Sequence, residues 1–144
     1  MVSTGWSNLT PWHTFRELPE LELAAQIEGM IPAGSTMSRT VFSFHCPPYG
    51  SGLDDAPEVD EEFNIRDAGR SLIPVGSTAV REAIERHQPV LALHGHIHEG
   101  KGVARLGKTL CINAGSSYEQ GVLQGAIIEL DVRRGIKSYS LTTG

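Results

Sequence analysis

Apolar and polar residues follow two different periods along this chain, which predicts a protein that mixes helices with strands. From Pro19 to about Met30, apolar residues and glutamates divide into two faces, the pattern of a helix with one buried side. A second helix is predicted over Thr78–His87, because Ser77 is placed to cap its first turn and a proline at position 89 stops it.

Short apolar runs predict the strands of a sheet. The predicted strands are Val41–Phe44, 90–93, 103–106, Thr109–Asn113, 122–132 and 136–141. The last two meet at a turn at 133–135, and alternation within 126–132 indicates one buried face. The loop at 45–74 is too long and acidic for a plain connection, so it is read either as an active-site surround or as partly disordered. Helices and strands in this order predict a mixed α/β fold.

Three histidines stand together directly after the apolar run at 90–93. The segment reads His94-Gly95-His96-Ile97-His98. In an extended backbone, residues two apart point the same way and lie about 7 Å apart at Cα. His96 and His98 are therefore predicted to converge on a metal ion, and a solvated polar loop is the alternative reading.

A further histidine follows another predicted strand. His45 comes directly after Val41–Phe44, and the two prolines at 47 and 48 stop that strand. Ligands of α/β sheets collect outside the carboxyl ends of the strands. Because His96 also follows a strand, two strand ends are predicted to present imidazoles to one crevice.

These segments resemble the late motifs of the calcineurin-like metallophosphoesterases, a strand-terminal His often followed by Pro-Pro and then Gly-His-x-His. The matching residues are His45-Cys46-Pro47-Pro48 and Gly95-His96-Ile97-His98. The likeness continues at 5–11, 76–82 and 112–116, and so covers nearly the whole chain. It covers only the second half of the family's domain, because the early motifs Asp-x-His, Gly-Asp-x-x-Asp and Gly-Asn-His-Asp/Glu do not occur in residues 1–144.

The resemblance implies a fold, a reaction and a set of ligands. The fold would be part of an α/β/β/α sandwich with a mixed sheet and C-terminal antiparallel strands. The reaction would be hydrolysis of phosphate mono- or diesters with divalent metals, Mn, Fe or Zn. In a complete family site, His45 and His96 would bind one metal and His98 the other, while His94 would have a supporting or packing role. No catalytic residue is identified, since the family's proton-donor motif is absent.

The missing motifs limit what this chain is expected to do alone. Two dications roughly 3.5–4 Å apart repel by about 17 kcal/mol at an effective dielectric of about 20, and neutral imidazoles cannot offset that. We therefore expect at most one metal to be held well. A truncated gene product, a subunit completed by a separate N-terminal segment and a self-completing homodimer all stay open, as does the activity of the isolated chain.

Charge and apolar content exclude several classes of function. The chain has 12 basic and 17 acidic residues and no basic stripe, so a small phosphoester is a better expected partner than a nucleic acid. No apolar stretch approaches the roughly 20 residues that span a bilayer, and residues 1–10 lack a signal-peptide pattern. A cytoplasmic protein is therefore expected, with Cys46 and Cys111 as free thiols.

Two other interpretations of the same residues belong to different classes of protein. A metallohydrolase of the β-lactamase fold would need His-x-His-x-Asp-His, and the Asp-His end is missing after His98. A non-catalytic metal-binding half-domain, or remnant, would explain the absent early motifs directly. Asp54 and Asp55 lie in the loop after His45, and we expect them to be solvated carboxylates rather than ligands of a metal or substrate.

Overall fold

The computed structural model describes residues 1–144 as two helices and eleven strands. The helices are α1 (Glu20–Met30) and α2 (Thr78–His87). The strands are β1 (Val2–Thr4), β2 (Ser7–Asn8), β3 (Glu17–Leu18), β4 (Val41–Phe44), β5 (Asp55–Pro57), β6 (Leu72–Pro74), β7 (Leu91–His94), β8 (Gly102–Leu106), β9 (Thr109–Asn113), β10 (Gln124–Asp131) and β11 (Gly135–Thr143).

A five-stranded mixed sheet in the order β1-β4-β7-β9-β8 forms the centre of the fold. Strands β1, β4, β7 and β9 are parallel, and β8 returns antiparallel to β9. Since β4 and β7 are parallel neighbours, their carboxyl ends meet at one edge of the sheet. The predicted mixed α/β class is confirmed.

Different layers bury the two faces of the sheet. Side chains of a strand alternate between faces, so each strand contributes to both cores. The core on the helix side contains Phe42, Phe44, Ala92 and Cys111 from the sheet, Leu23 and Ile27 from α1, and Ala79, Val80, Ala83 and Ile84 from α2. The core on the other side contains Leu91, Leu110 and Ile112, covered by Ala126, Ile128, Ile136 and Leu141 of the β10–β11 hairpin. The molecule therefore has three layers, of helices, sheet and hairpin.

Most predicted elements are confirmed within two residues at each end. Helix α2 has the predicted bounds, and the Ser77 hydroxyl accepts a hydrogen bond from the Val80 N–H at 3.1 Å. The final hairpin turns where predicted, with the Asp131 carboxylate accepting from the backbone N–H groups of Arg133 and Arg134. Both cysteines are free and buried. Neither helix is long and apolar enough to cross a membrane.

The N-terminus and the 45–74 loop contain strands that the sequence pattern does not predict. β1, β2 and β3 are two or three residues long, too short to show a period. The long loop folds back on itself as the antiparallel ribbon β5–β6, in which Asp55 pairs with Pro74 and Pro57 with Leu72. A proline in a sequence argues against a strand, because proline occurs only at strand positions where no N–H is needed, mainly in edge strands. The prolines of this ribbon therefore hide it from a prediction based on sequence pattern.

Candidate metal centre

The ends of β4 and β7 bring His45 and His96 together. Nε2 of His45 lies 3.2 Å from Nδ1 of His96, although 51 positions separate the two residues. The rings meet edge to face, with centroids 4.8 Å apart and planes at 63°. At this hydrogen-bond distance, one nitrogen carries a proton and the other accepts it. The predicted meeting of these two imidazoles is observed.

The spacing of this pair fits a shared metal ion. Two nitrogens about 2.1 Å from one ion, at octahedral or tetrahedral angles, lie about 3.0–3.4 Å apart. The observed 3.2 Å falls inside that range, so the distance between the nitrogens suits one ion once the shared proton has moved to another ring nitrogen. Imidazole nitrogens suit zinc and iron, whereas manganese prefers carboxylate oxygens. The pair by itself therefore favours zinc or iron among the expected metals.

The surroundings lower the pKa of both imidazoles and so favour their neutral forms. Partial burial lowers the pKa of His45, and the nearby His98 lowers it further by repulsion between charged rings. Burial also lowers the pKa of His96, with repulsion from His45 and His98 acting the same way and the Glu17 carboxylate opposing them. A neutral imidazole keeps one lone pair for a metal, so metal binding and these electrostatics agree.

His96 occupies a tight turn rather than an extended strand. Strand β7 ends at His94, and the Ile97 N–H donates to the Gly95 carbonyl at 2.7 Å, closing a three-residue turn around His96. The φ angle of His96 is +63°, in the left-handed region that side chains rarely adopt. The prediction that His96 and His98 share one side of an extended backbone is therefore wrong, because the chain turns between them.

His98 lies beside the pair without joining it. It is close enough for its charge to lower the pKa values of His45 and His96, but it is exposed and packs edge to face on Tyr118, with ring centroids 5.4 Å apart. No three His, Cys, Asp or Glu side chains converge closely enough to hold an ion together. A cavity of about 360 Å³ adjoins His98. The assignment of His98 as a metal ligand stays a prediction.

His94 is buried inside the protein, whereas His45 and His96 are at least partly exposed. Its Nδ1 lies 3.1 Å from the carbonyl oxygen of Phe44 and 3.0 Å from that of Cys46. Only 8% of the residue is exposed, and burial lowers the pKa of His94 to about 4 despite those hydrogen bonds. The supporting or packing role expected for His94 matches this environment.

The thiol next to His45 takes no part in the site. Cys46 belongs to the helix-side core, and burial raises the pKa of its thiol to about 11. Metals bind the thiolate, so a thiol held protonated is a poor ligand.

Asp54 is not the solvated carboxylate that the sequence suggests. It is fully buried and accepts hydrogen bonds from the backbone N–H groups of Gly50, Ser51 and Gly76 at 2.7, 2.9 and 3.0 Å. Its oxygens are thus occupied in holding the loop after His45. Asp55 is only partly buried, in β5. Turn-forming glycines and serine around an aspartate are the signal that could have indicated this role.

Two residues that shape the site were not singled out from the sequence. The negative charge of Glu17 raises the pKa of His96. The Glu17 carboxylate also holds the preceding loop in place by accepting hydrogen bonds from the N–H groups of Thr10 and Thr14. Asn113 is fully buried at the end of β9, and its amide donates to the Ile97 carbonyl at 2.9 Å, bracing the turn. An asparagine ending an apolar strand was the available signal for the second.

Comparisons with known proteins identify the fold. No protein-family profile matches the chain, and no curated protein matches it. One crystal structure superposes with a TM-score of 0.55 and 21% identity, covering 97% of this chain and 46% of its own. The crystal structure of TT1561 of Thermus thermophilus superposes with a TM-score of 0.50 and 20% identity, covering 96% of this chain and 47% of its own. The chain shares their fold and spans just under half their length.

Proposed function

We propose that this chain carries part of the metal centre of a calcineurin-like phosphoesterase, which hydrolyses phosphate mono- or diesters. The observation that supports the proposal is the 3.2 Å approach of His45 and His96 at neighbouring strand ends. In this proposal His45 and His96 hold one divalent ion, and His98 contributes to the second. Such ions, when bound, supply an activated water and neutralise charge on the phosphate.

The proposed substrate is a small phosphoester. The chain has a formal net charge of −5, so its general field repels a phosphate and would repel a nucleic acid more strongly. Metal charge at the histidine pair would outweigh that field locally. Recognition would therefore depend on the ion more than on surface lysines or arginines.

A complete centre needs groups beyond these histidines. The bridging carboxylate and the proton donor implied by the family resemblance would come from a complementing N-terminal segment. A second copy of the chain lacks the same motifs and would have to supply other carboxylates. Strand β1 lies at one edge of the five-stranded sheet, where a further strand can pair. Leu130 and Tyr139 on the hairpin are 48% and 46% exposed and offer apolar area for such a contact.

The metal ligands are tested by titrating the purified chain with Zn²⁺ and Mn²⁺ by calorimetry. Binding should disappear in His45→Ala and His96→Ala, because each removes one of the two paired nitrogens. His94→Ala should lose much less. His13→Ala, which alters an exposed histidine of the N-terminal loop, is the control and should bind as the wild type does. Equal losses in His94→Ala and His96→Ala would contradict the ligand assignment.

Hydrolysis is tested separately with a chromogenic phosphodiester and a chromogenic phosphomonoester. Metal-dependent turnover that disappears in His96→Ala would support the phosphoesterase. A chain that binds metal yet shows no turnover, even with its complementing segment present, would instead be a non-catalytic metal-binding half-domain.

A further inference from the structure

The hydrogen bonds of His94 fix the position of its single proton. Both groups near Nδ1, the carbonyl oxygens of Phe44 and Cys46, can only accept. Nδ1 must therefore carry the proton and share it between the two oxygens. The other ring nitrogen, Nε2, is buried with no hydrogen-bond partner, as expected for the nitrogen without the proton.

These two carbonyls belong to the residues on either side of His45. A third hydrogen bond completes the attachment, since the Gly95 N–H donates to the His45 carbonyl at 3.0 Å. Regular pairing between β4 and β7 ends with the pair Ser43 and Leu93. The His94 side chain therefore extends the hydrogen bonding between the two strands past the end of their regular pairing. It does so at Phe44 and Cys46, the residues that set the direction of His45.

A packing role alone does not account for this arrangement. An apolar side chain of similar size would leave the two buried carbonyls without their shared donor, and each unsatisfied group costs about 1–3 kcal/mol. The Phe44 and Cys46 side chains are already packed in the helix-side core. What His94 adds is a donor at one defined point between their carbonyls.

We propose that His94 is a positioning residue, whose Nδ1–H holds the backbone around His45 so that the His45 imidazole meets that of His96. The inference rests on the proposed metal centre and adds to it a residue that binds no metal itself. His94 acts through the backbone of a ligand, as outer partners of metal sites often act through hydrogen bonds.

Two amide substitutions separate the donor from the size and polarity of the side chain. In His94→Asn, the amide nitrogen can take the place of Nδ1, whereas in His94→Gln it falls nearer the place of Nε2. Both variants are neutral and polar. Titration with Co²⁺ alone, read by visible absorption, should give a dissociation constant within about threefold of wild type for Asn and about 10–100-fold weaker for Gln.

A second readout needs no metal. In the metal-free chain, a nuclear Overhauser contact between the His45 and His96 rings should persist in wild type and His94→Asn and weaken in His94→Gln. Equal behaviour of the two variants in both measurements would overturn the positioning role. If the wild type binds no Co²⁺ while the ring contacts follow this order, the metal centre fails and the positioning role stands.

The wild-type chain provides a test that does not depend on any variant folding. Two-bond ¹H–¹⁵N spectra of ¹⁵N-histidine-labelled protein report which ring nitrogen carries the proton. The Nδ1–H form of His94 is expected, and observation of the Nε2–H form would overturn the proposal.

Discussion

His96 lies at the centre of a three-residue turn, and that turn directs its imidazole toward His45. A non-glycine residue with φ of +63° carries strain of about 1–3 kcal/mol. The turn persists because neighbours hold it, with Asn113 donating to the carbonyls of Ile97 and Leu53. Strain maintained in this way at a paired histidine is typical of a functional site.

We predict that the fold tolerates glycine at position 96 better than alanine, although both substitutions abolish metal binding. His96→Gly should be more stable than His96→Ala by about 1 kcal/mol, because glycine adopts positive φ without strain. Urea denaturation of the two variants measures the difference. The same pair of substitutions at His98, which is not at positive φ, is the control and should favour alanine. An advantage of glycine at both positions would contradict the role of strain.

A second residue-scale prediction concerns acid stability at Glu17. Burial alone would raise the pKa of this carboxyl, but hydrogen bonds from the hydroxyls and N–H groups of Thr10 and Thr14 lower it to about 2. Since the folded pKa lies below the ordinary 4.5, the carboxylate stabilises the fold fully above pH 4.5 and loses this effect as pH falls toward 2.

The stability difference between wild type and Glu17→Gln should therefore shrink as pH is lowered through this window. Urea denaturation at pH 6, 4 and 3 measures it. Thr14→Val, which removes one hydroxyl donor, should move the loss to higher pH. A difference that does not change with pH would show that folding does not lower the pKa of Glu17.

At the scale of elements, the first turn of α2 is joined to the start of α1. The Glu20 carboxylate accepts from the Ser77 hydroxyl at 2.7 Å and from the Ala79 N–H at 2.8 Å. A negative side chain near a helix N-terminus is favourable because free N–H groups and the helix dipole converge there. This link joins the two helices that cover one face of the sheet.

In the segment after the histidines, Gly100 lies directly against the backbone of the loop that contains Leu53. A side chain at Gly100 would overlap the backbone carbonyl of Leu53, whereas one at Gly95 would meet nothing within 4 Å. We predict that Gly100→Ala destabilises the fold by about 1–3 kcal/mol. Gly95→Ala, five residues away, is the matched control and should change stability by less than about 1 kcal/mol. Thermal denaturation compares them, and equal losses would contradict the close approach.

At the scale of the whole molecule, the metal stoichiometry should reveal whether the chain acts alone. We expect the isolated chain to bind one divalent ion weakly, because neutral imidazoles cannot offset repulsion between two dications. Little or no hydrolysis of a chromogenic phosphodiester should follow. Calorimetry with Mn²⁺ and a parallel activity assay measure both.

Two tightly bound ions with ordinary turnover would contradict this expectation and show that ligands come from elsewhere. Asp54 is a poor source, since its oxygens already accept three backbone N–H groups. Activity that rises faster than chain concentration would identify a second copy as the source. Activity proportional to concentration would instead direct attention to the partly buried Asp55 and to exposed acids of the same chain.

The sequence by itself determined the local elements and the positions of the candidate ligands. The bounds of α2, β4 and β9 follow from short-range effects, namely a cap, a proline and a run of apolar residues. That His45 and His96 follow strands could be read in the same way. Strands of two or three residues, such as β1, could not be predicted, because their stability comes from pairing with distant strands.

The sequence predicted that His45 and His96 share a crevice, and only the tertiary structure decided how closely they meet and that His98 stays apart from them. The 3.2 Å contact of His45 with His96 requires β4 and β7 to be parallel neighbours, and this pairing joins residues 50 positions apart, beyond the reach of any local pattern. The turn at His96 overrides the extended backbone expected there, because bonds from Asn113 hold it. Asp54 is buried for the same kind of reason. Its charge predicts solvent, but the N–H group of the nearby Gly50 and that of the more distant Gly76 satisfy its oxygens inside the fold.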